Sequence, residues 1–362
     1  VAKRVSADRW IFGITVVLVF IGLVMVFSAS AVMASERYGS AYGFLVRQLV
    51  GAAAGFVAMW ALMHVDYHHL RRPAVVFSLM AVTSLLLVAV FFYKSHNVHR
   101  WLPMGPVSFQ PAELAKITII VFVAYFLETR LAEMGDWKRV LLPVVVPTVL
   151  FAALIVKEPD LGTALMCVFI TATMLFVAGT ELKYFGYALA AMVPILYLLV
   201  FRVAYRRDRM LIFMNPFSDP QGKGFQIIQA LIAVGTGGIT GQGLMEGKQK
   251  LFYLPEPHTD FIFAVISEEL GLIGSLVILS LFGMFCYRGF RTALRATDPL
   301  GRLLAAGITA MIGVQALFNM SVVLALLPNK GIPLPFISYG GSSVVIMLAS
   351  VGVLLNISEQ TE

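Results

Sequence analysis

"WIFGITVVLVFIGLVMVFSASAVM", residues 10–33, is an apolar run without a single charged side chain. At 1.5 Å per residue it can cross a hydrocarbon layer of roughly 30 Å. Lys3, Arg4 and Arg9 precede it, and Ala29-Ser30-Ala31 mimics a leader-peptidase site. Its length still exceeds the roughly 7–15 apolar residues of a cleaved leader, so it reads as a retained first span. Working outward, segments of similar character lie at 43–64, 73–93, 111–129, 140–157, 161–179, 183–202, 261–287, 303–327 and 342–357. The expectation is an all-α polytopic membrane protein with ten transmembrane helices, forming a single membrane domain over residues 1–362.

Composition agrees. The chain is 59% hydrophobic and 13% charged, and its mean hydropathy is +0.86, outside the range of soluble domains. A soluble fold would have to wrap several fully buried helices, which 362 residues cannot do. Cys167 and Cys286 lie inside apolar runs and read as small hydrophobes rather than a disulfide or metal pair. The net charge of +7 points to membrane lipid headgroups or phosphate-bearing substrates. No soluble basic module is present to bind nucleic acid. Walker A, HExxH, CxxC and Gly-x-Ser-x-Gly patterns are absent, so no nucleotide, zinc or haem is expected.

Orientation follows from basic residues in the short loops. One side holds Lys3, Arg4, Arg9, Arg71, Arg72, Arg130, Lys138, Arg139, Lys183, Arg288, Arg291, Arg295 and Arg302; the other holds Arg37, Lys94, Arg100, Lys157 and Lys330. This excess places both termini in the cytoplasm and a large loop, 203–260, outside between the seventh and eighth helices. Within that loop, "GKGFQIIQALIAVGTGGITGQG" (222–243) has helix-spaced apolar residues followed by glycines. Two compatible readings stand: an amphipathic helix at the membrane interface, or a lid packed over the bundle.

That topology gathers ionisable groups on the outer side. Glu113 and Lys116 share a face at i, i+3; Glu158 and Asp160 occupy a tight turn; Arg202, Arg206, Arg207 and Arg209 open the large loop, and Lys248 comes near its end. Asp260 marks the start of the eighth span, and Glu268 and Glu269 lie about 12–14 Å further along it. Charges in a bilayer pair with each other or line a wet cavity. Together these imply one polar cavity opening outward, suited to a substrate part lipid and part water-soluble. Arginine forks match phosphate oxygens, although Arg206, Arg207 and Arg209 read equally as a headgroup-anchoring patch.

Five ordered blocks carry a resemblance: "RWLPMGPVSFQPAELAK" (100–116), "EPDLGTA" (158–164), "NPFSDPQGKGFQIIQALIAVGTGG" (215–238), "LPEPHTDFIFAVISEELG" (254–271) and "LPNKGIPLPFISYGGSS" (327–343). The chain resembles the SEDS family, the shape, elongation, division and sporulation group of FtsW, RodA and SpoVE, and is closer to the division type than to the elongation type. The resemblance implies a GT-C-like peptidoglycan glycosyltransferase that polymerises lipid II at the outer face of the bacterial cytoplasmic membrane. It also implies a class B penicillin-binding protein as transpeptidase partner, alongside other division or elongation proteins. A lipid II flippase and a non-catalytic scaffold are the alternatives.

The family's essential acidic residue falls on Asp260, which makes it the expected general base; spacing alone reads it as a helix N-cap. Arg100, Lys116, Arg206 and Arg209 are the candidates for the lipid pyrophosphate. Glu113, Asp160, Lys248, His258, Lys330, Ser338 and Gly340 complete the candidate substrate-binding set. His258 reads either as an orienter of Asp260 or as a plain interfacial histidine, and Gly340 as a close backbone approach or a tight turn. A divalent cation, Mg or Mn, is expected with the pyrophosphate, with Asp260, Glu113 or Asp160 as oxygen ligands.

Overall fold

The computed structural model describes residues 6–93, 100–104, 107–133 and 136–361. Lys3, Arg4 and Lys94, which contributed to the orientation argument, lie outside that set. Every one of the ten apolar segments is helical: α1 (Arg9–Tyr38), α2 (Gly43–His64), α3 (Pro73–Ala89), α4 (Pro111–Glu128), α5 (Leu142–Lys157), α6 (Leu161–Val177), α7 (Leu182–Phe201), α10 (Ile262–Arg295), α11 (Pro299–Val323) and α12 (Gly341–Ser358). Two more helices, α8 (Ala204–Met214) and α9 (Phe225–Gly237), lie between α7 and α10. A short antiparallel hairpin, β1 (Leu102–Met104) with β2 (Val107–Phe109), leads into α4.

Among the described residues eight helices are long and apolar enough to cross a membrane unaided, so the protein is a multi-pass membrane protein. The two exceptions among the ten segments have physical causes. With 17 residues, α6 measures about 25 Å, short of the hydrocarbon thickness. α4 carries Glu113, Lys116 and Glu128, and it is enclosed by its neighbours rather than facing lipid. α4, α11 and α12 form the buried centre, whereas no residue of α7 is buried. α2 packs on α12 through small residues: a Cβ on Gly352 would meet the backbone of Met59, so glycine there lets the two helices close up.

α9 buries Ile227, Ala230 and Ala233 and leaves Leu231 and Ile232 exposed. The segment behind it enters a break in α10. Gly271 has φ 66° and ψ −164°, a conformation open essentially to glycine alone. Leu272 and Ile273 N–H therefore leave the helical ladder and donate to Gly238 and Ile239 carbonyls at 2.9 and 3.1 Å. The freed carbonyls of Glu268 and Glu269 accept from Gln242 and Gly243 at 2.9 and 3.1 Å. The exchange satisfies four of the backbone groups that the break releases.

At one end of the bundle the chain termini meet: Asp8 N–H donates to Ser358 Oγ at 3.0 Å, and Arg288 Nε to Asp8 Oδ2 at 2.9 Å. The α5–α6 turn, α8 and the segment before α12 meet at the opposite end.

Candidate active site

A cavity of about 460 Å³ opens at that opposite end. Leu165 and Phe169 of α6, Met192, Leu196 and Val200 of α7, and Phe318 of α11 give its wall an apolar part. Arg100, Asp160, Arg206, Arg209 and Lys330 supply the charged part. Local structure explains how these charges are held. Asp160 caps α6, its Oδ1 accepting from Thr163 N–H at 3.1 Å; its Oδ2 accepts from Thr163 Oγ1 at 2.9 Å and Gln110 Nε2 at 3.3 Å.

Among the described residues the arginines are tied to neutral carbonyls rather than to carboxylates. Arg100 Nε donates to Glu158 O at 2.9 Å, and its fork also reaches Pro159 O. Arg206 donates to Val156 O at 3.0 Å and Leu199 O at 3.2 Å, while its Nε is buried without a partner among the described residues. Arg209 donates to Asn329 O at 3.4 Å and lies 5.2 Å from the Tyr205 ring centroid. Their charge is thus oriented but not neutralised. Burial lowers the Lys330 ammonium to about 8, opposed by Asp160 and reinforced by Arg206 and Arg209.

Asp260 sits half-buried against Gly331: a Cβ on that glycine would fall 2.5 Å from Asp260 Oδ2. The cap reading is excluded, since Phe261 occupies the N-cap of α10 and no side chain bonds there. Among the described residues the Asp260 carboxylate makes no hydrogen bond, although its main-chain carbonyl is held by Asn319 Nδ2 at 2.8 Å. Burial first, then the Asp160 charge, raises Asp260 to about 6, with Arg100 and Arg209 pulling the other way. A carboxylate of that strength accepts a proton from a hydroxyl near neutral pH.

Sequence reasoning counted Glu158 among the groups of the outward polar cavity but not among the candidate site residues. It is fully buried, neither carboxyl oxygen has a partner among the described residues, and burial followed by the Asp160 charge pushes it to about 9 against Arg100. Its isolation was invisible because it depends on what surrounds the turn.

The single cavity expected from the sequence is, in the fold, three separate polar sites. Glu113 and Lys116 do pair, at 2.8 Å, but in the buried centre: Lys116 Nζ also reaches Gln315 Oε1 at 2.5 Å, and Ser343 Oγ donates to Glu113 Oε2 at 2.9 Å. Neither lines the cavity. Glu268 and Glu269 anchor the loop behind α9. Glu268 Oε1 accepts Lys248 N–H at 2.8 Å, and Glu269 bonds Lys250 Nζ at 2.7 Å, Ser28 Oγ at 2.7 Å and Met245 N–H at 2.9 Å. Glu113, Glu268 and Glu269 each take the donors nearest to them, which prevents one shared pool.

Four further candidates fall outside the cavity wall for comparable reasons. Lys248 is engaged through its backbone and its side chain is exposed. His258 is buried between the rings of Phe44 and Tyr339, at centroid distances of 4.4 and 5.5 Å. Ser338 Oγ accepts from Leu334 N–H at 2.8 Å and donates to Thr259 O at 2.7 Å, which buttresses the segment carrying Asp260. Gly340 N–H donates to Gln48 Oε1 at 3.2 Å and caps α12. Arg100, Asp160, Arg206, Arg209 and Lys330 do meet, with Asp260 beside them.

Of the three expected cation ligands, Glu113 is spent in the buried centre, and Asp160 and Asp260 remain close enough to influence each other. Among the described residues, no group of three or more His, Cys, Asp or Glu is placed to hold an ion. The donor set fits an ion completed by substrate oxygens rather than a protein cage.

A family model described as a cell cycle protein, FtsW/RodA/SpoVE, matches residues 8–362. A probable peptidoglycan glycosyltransferase FtsW from Geobacter sp. (strain M18) is 46% identical over 98% of each chain. Stage V sporulation protein E from Bacillus subtilis (strain 168) is 43% identical over 98% of each. Among solved structures, one described as "Structural coordination of polymerization and crosslinking by a peptidoglycan synthase complex" superposes with TM-score 0.80 at 30% identity, covering 98% of both chains. The Thermus thermophilus rod shape determining protein RodA gives TM-score 0.71 at 27% identity, over 98% of this chain and 97% of that one.

Proposed function

The chain belongs to the FtsW/RodA/SpoVE family of cell cycle proteins, and from that membership we propose that it is a peptidoglycan glycosyltransferase polymerising lipid II. All ten segments span the bacterial cytoplasmic membrane in a GT-C-like arrangement, both termini are cytoplasmic, and the cavity opens to the exterior from the outer leaflet. A class B penicillin-binding protein supplies the transpeptidase and works with it in division or cell-shape machinery; the solved relative described as a peptidoglycan synthase complex supports such a partnership.

The observation that carries this reading is an Asp260 carboxylate that makes no hydrogen bond among the described residues and rests against Gly331, in the wall of a cavity lined by apolar residues of α6 and α7 and by Arg100, Arg206, Arg209 and Lys330. The apolar side takes the first prenyl units of the donor. Arg100, Arg206, Arg209 and Lys330 hold its pyrophosphate. The acceptor's C4 hydroxyl attacks the donor's anomeric carbon and gives its proton to Asp260. The new C–O bond forms as the bond to the pyrophosphate oxygen breaks, and the lipid pyrophosphate leaves with that electron pair. No acid is needed, because pyrophosphate is already a stable anion. A divalent cation arriving with the substrate, near Asp160 and Asp260, would add charge neutralisation on the leaving group.

The test is glycan polymerisation by purified protein with lipid II, Mg or Mn and the transpeptidase partner. Asp260→Asn is expected to lower the rate by about 10²–10⁴-fold with an unchanged melting temperature. Glycan made by Asp260→Asn at the parental rate would remove Asp260 from the reaction.

A further inference from the structure

α11 is buried over most of its length, yet two of its buried side chains are amides, Gln315 and Asn319. Placed at i and i+4, they lie one above the other on the same face. A buried amide is costly unless its groups are bonded, and leucine would serve packing alone. What these two bond is therefore informative.

Their donors go to non-helical chain. Gln315 Nε2 donates to Pro333 O at 2.9 Å, and Asn319 Nδ2 donates to Ile332 O and Asp260 O at 2.8 Å each. Residues 331–334 have no regular structure, and Ile332 and Leu334 are buried. Ile332 N–H turns back to Lys330 O at 3.0 Å, Leu334 N–H goes to Ser338 Oγ, and Pro333 and Pro335 have no N–H to give. A buried segment of this kind needs side-chain donors for its carbonyls. The segment so held carries Lys330 and Gly331 of the cavity wall, and Asp260 rests against Gly331. Two side chains of α11 thus place both the carboxylate and the ammonium of the site.

The orientation of Gln315 comes from a third element. Its Oε1 accepts from Lys116 Nζ of α4 at 2.5 Å, and Lys116 is paired with Glu113 at 2.8 Å. An ammonium only donates and a carbonyl only accepts. Between Lys116 and Pro333 O the amide therefore has one favourable orientation, oxygen toward the first and nitrogen toward the second. Turned over, it would set donor against donor and acceptor against acceptor. Without the ammonium, one of the two contacts that orient the amide is gone. The Glu113–Lys116 pair lines no part of the cavity, and this chain of bonds connects it to the cavity wall.

We propose that Gln315 and Asn319 are positioning residues for the transfer reaction, and that the buried Glu113–Lys116 pair acts on Asp260 and Lys330 through them. The proposal rests on the glycosyltransferase reading above and gives a role to a charge pair that the cavity leaves unused.

The experiment separates positioning from stability in the purified full chain. Glu113→Gln with Lys116→Met removes both charges together, so no unpaired charge stays buried, while Gln315 loses its donor. Melting should stay within a few degrees of the parent's, and the polymerisation kcat should fall about tenfold, as a shift of well under 1 Å at the reacting groups would cause. The KM for lipid II should stay within about threefold, because Arg100 and Arg206 are held by other elements. Gln315→Leu should give the same kcat loss, and combining it with the double substitution should add little, since both cut one link. Amide hydrogen exchange across residues 328–339 should quicken in both variants, a readout independent of activity. A kcat that returns to the parental value together with the melting temperature would overturn the proposal. So would losses that add in the combined variant, or exchange across 328–339 unchanged in both. A parental protein that makes no glycan defeats the glycosyltransferase reading itself, whereas the exchange measurement still decides whether the chain of bonds holds the segment.

Discussion

Gly331→Ala is the most direct probe of how Asp260 meets its substrate. The new Cβ would fall 2.5 Å from Asp260 Oδ2, whereas carbon–oxygen contacts settle near 3.3–3.6 Å, so about 1 Å must be found. The backbone has little room to supply it. Asn319 Nδ2 donates at 2.8 Å to both Asp260 O and Ile332 O, which clamps the two chain segments on either side of the contact. The carboxylate must swing instead. Leaving its rotamer costs about 0.5–1.5 kcal/mol, a small part of the stability of a bundle this size. A displacement of about 1 Å at a reacting group costs on the order of 10²-fold in rate, or about 2.7 kcal/mol of barrier. The expected result is a polymerisation rate down about a hundredfold with a melting temperature within a few degrees of the parent's. Gly331→Ala polymerising at the parental rate while Asp260→Asn is inactive would refute the reasoning, because Asp260 would then reach substrate by a route that does not pass Gly331.

The remaining predictions follow from charge. With Asp260 at about 6 and Lys330 at about 8, kcat/KM should rise with pH through 6 as the base ionises and fall above 8 as Lys330 loses its hold on pyrophosphate. Asp160→Asn, by removing a charge that raises Asp260, should move the acid limb below 6. Glu158 rises from 4.5 to about 9 on folding, so the folded state keeps a proton that the unfolded chain releases, and stability should decline as pH increases across that window. Glu158→Gln removes the decline, so melting at pH 5 and pH 9 should differ less in the variant than in the parent. Lys116→Met leaves Glu113 charged and buried and should cost about 3–5 kcal/mol, whereas adding Glu113→Gln should restore most of the melting temperature; equal loss in the single and double variants would show that the ion pair is not what holds that region.

What the sequence revealed and what it concealed both follow from where the physical constraint sits. The ten helical segments were legible because hydrocarbon forces each crossing to satisfy its backbone internally, and only long apolar runs do so. The break at Gly271 was not legible. One glycine in an apolar run has the same letter whether it is helical or, as here, opened to admit residues 238–243, and the inserted segment comes from another part of the chain. Charges followed the same division. Glu113 and Lys116 could be paired from their spacing because both ride one helix. Glu269 could not be assigned to Ser28, which is 241 residues away in sequence. Counting buried charges therefore indicated how much polar environment the bundle must contain, but not how it is divided. Gly331 was the harder omission, since its contribution is the side chain it lacks. It becomes visible only when the clamp from Asn319 fixes the backbone on both sides and the Asp260 carboxylate rests in the space that a side chain at 331 would fill.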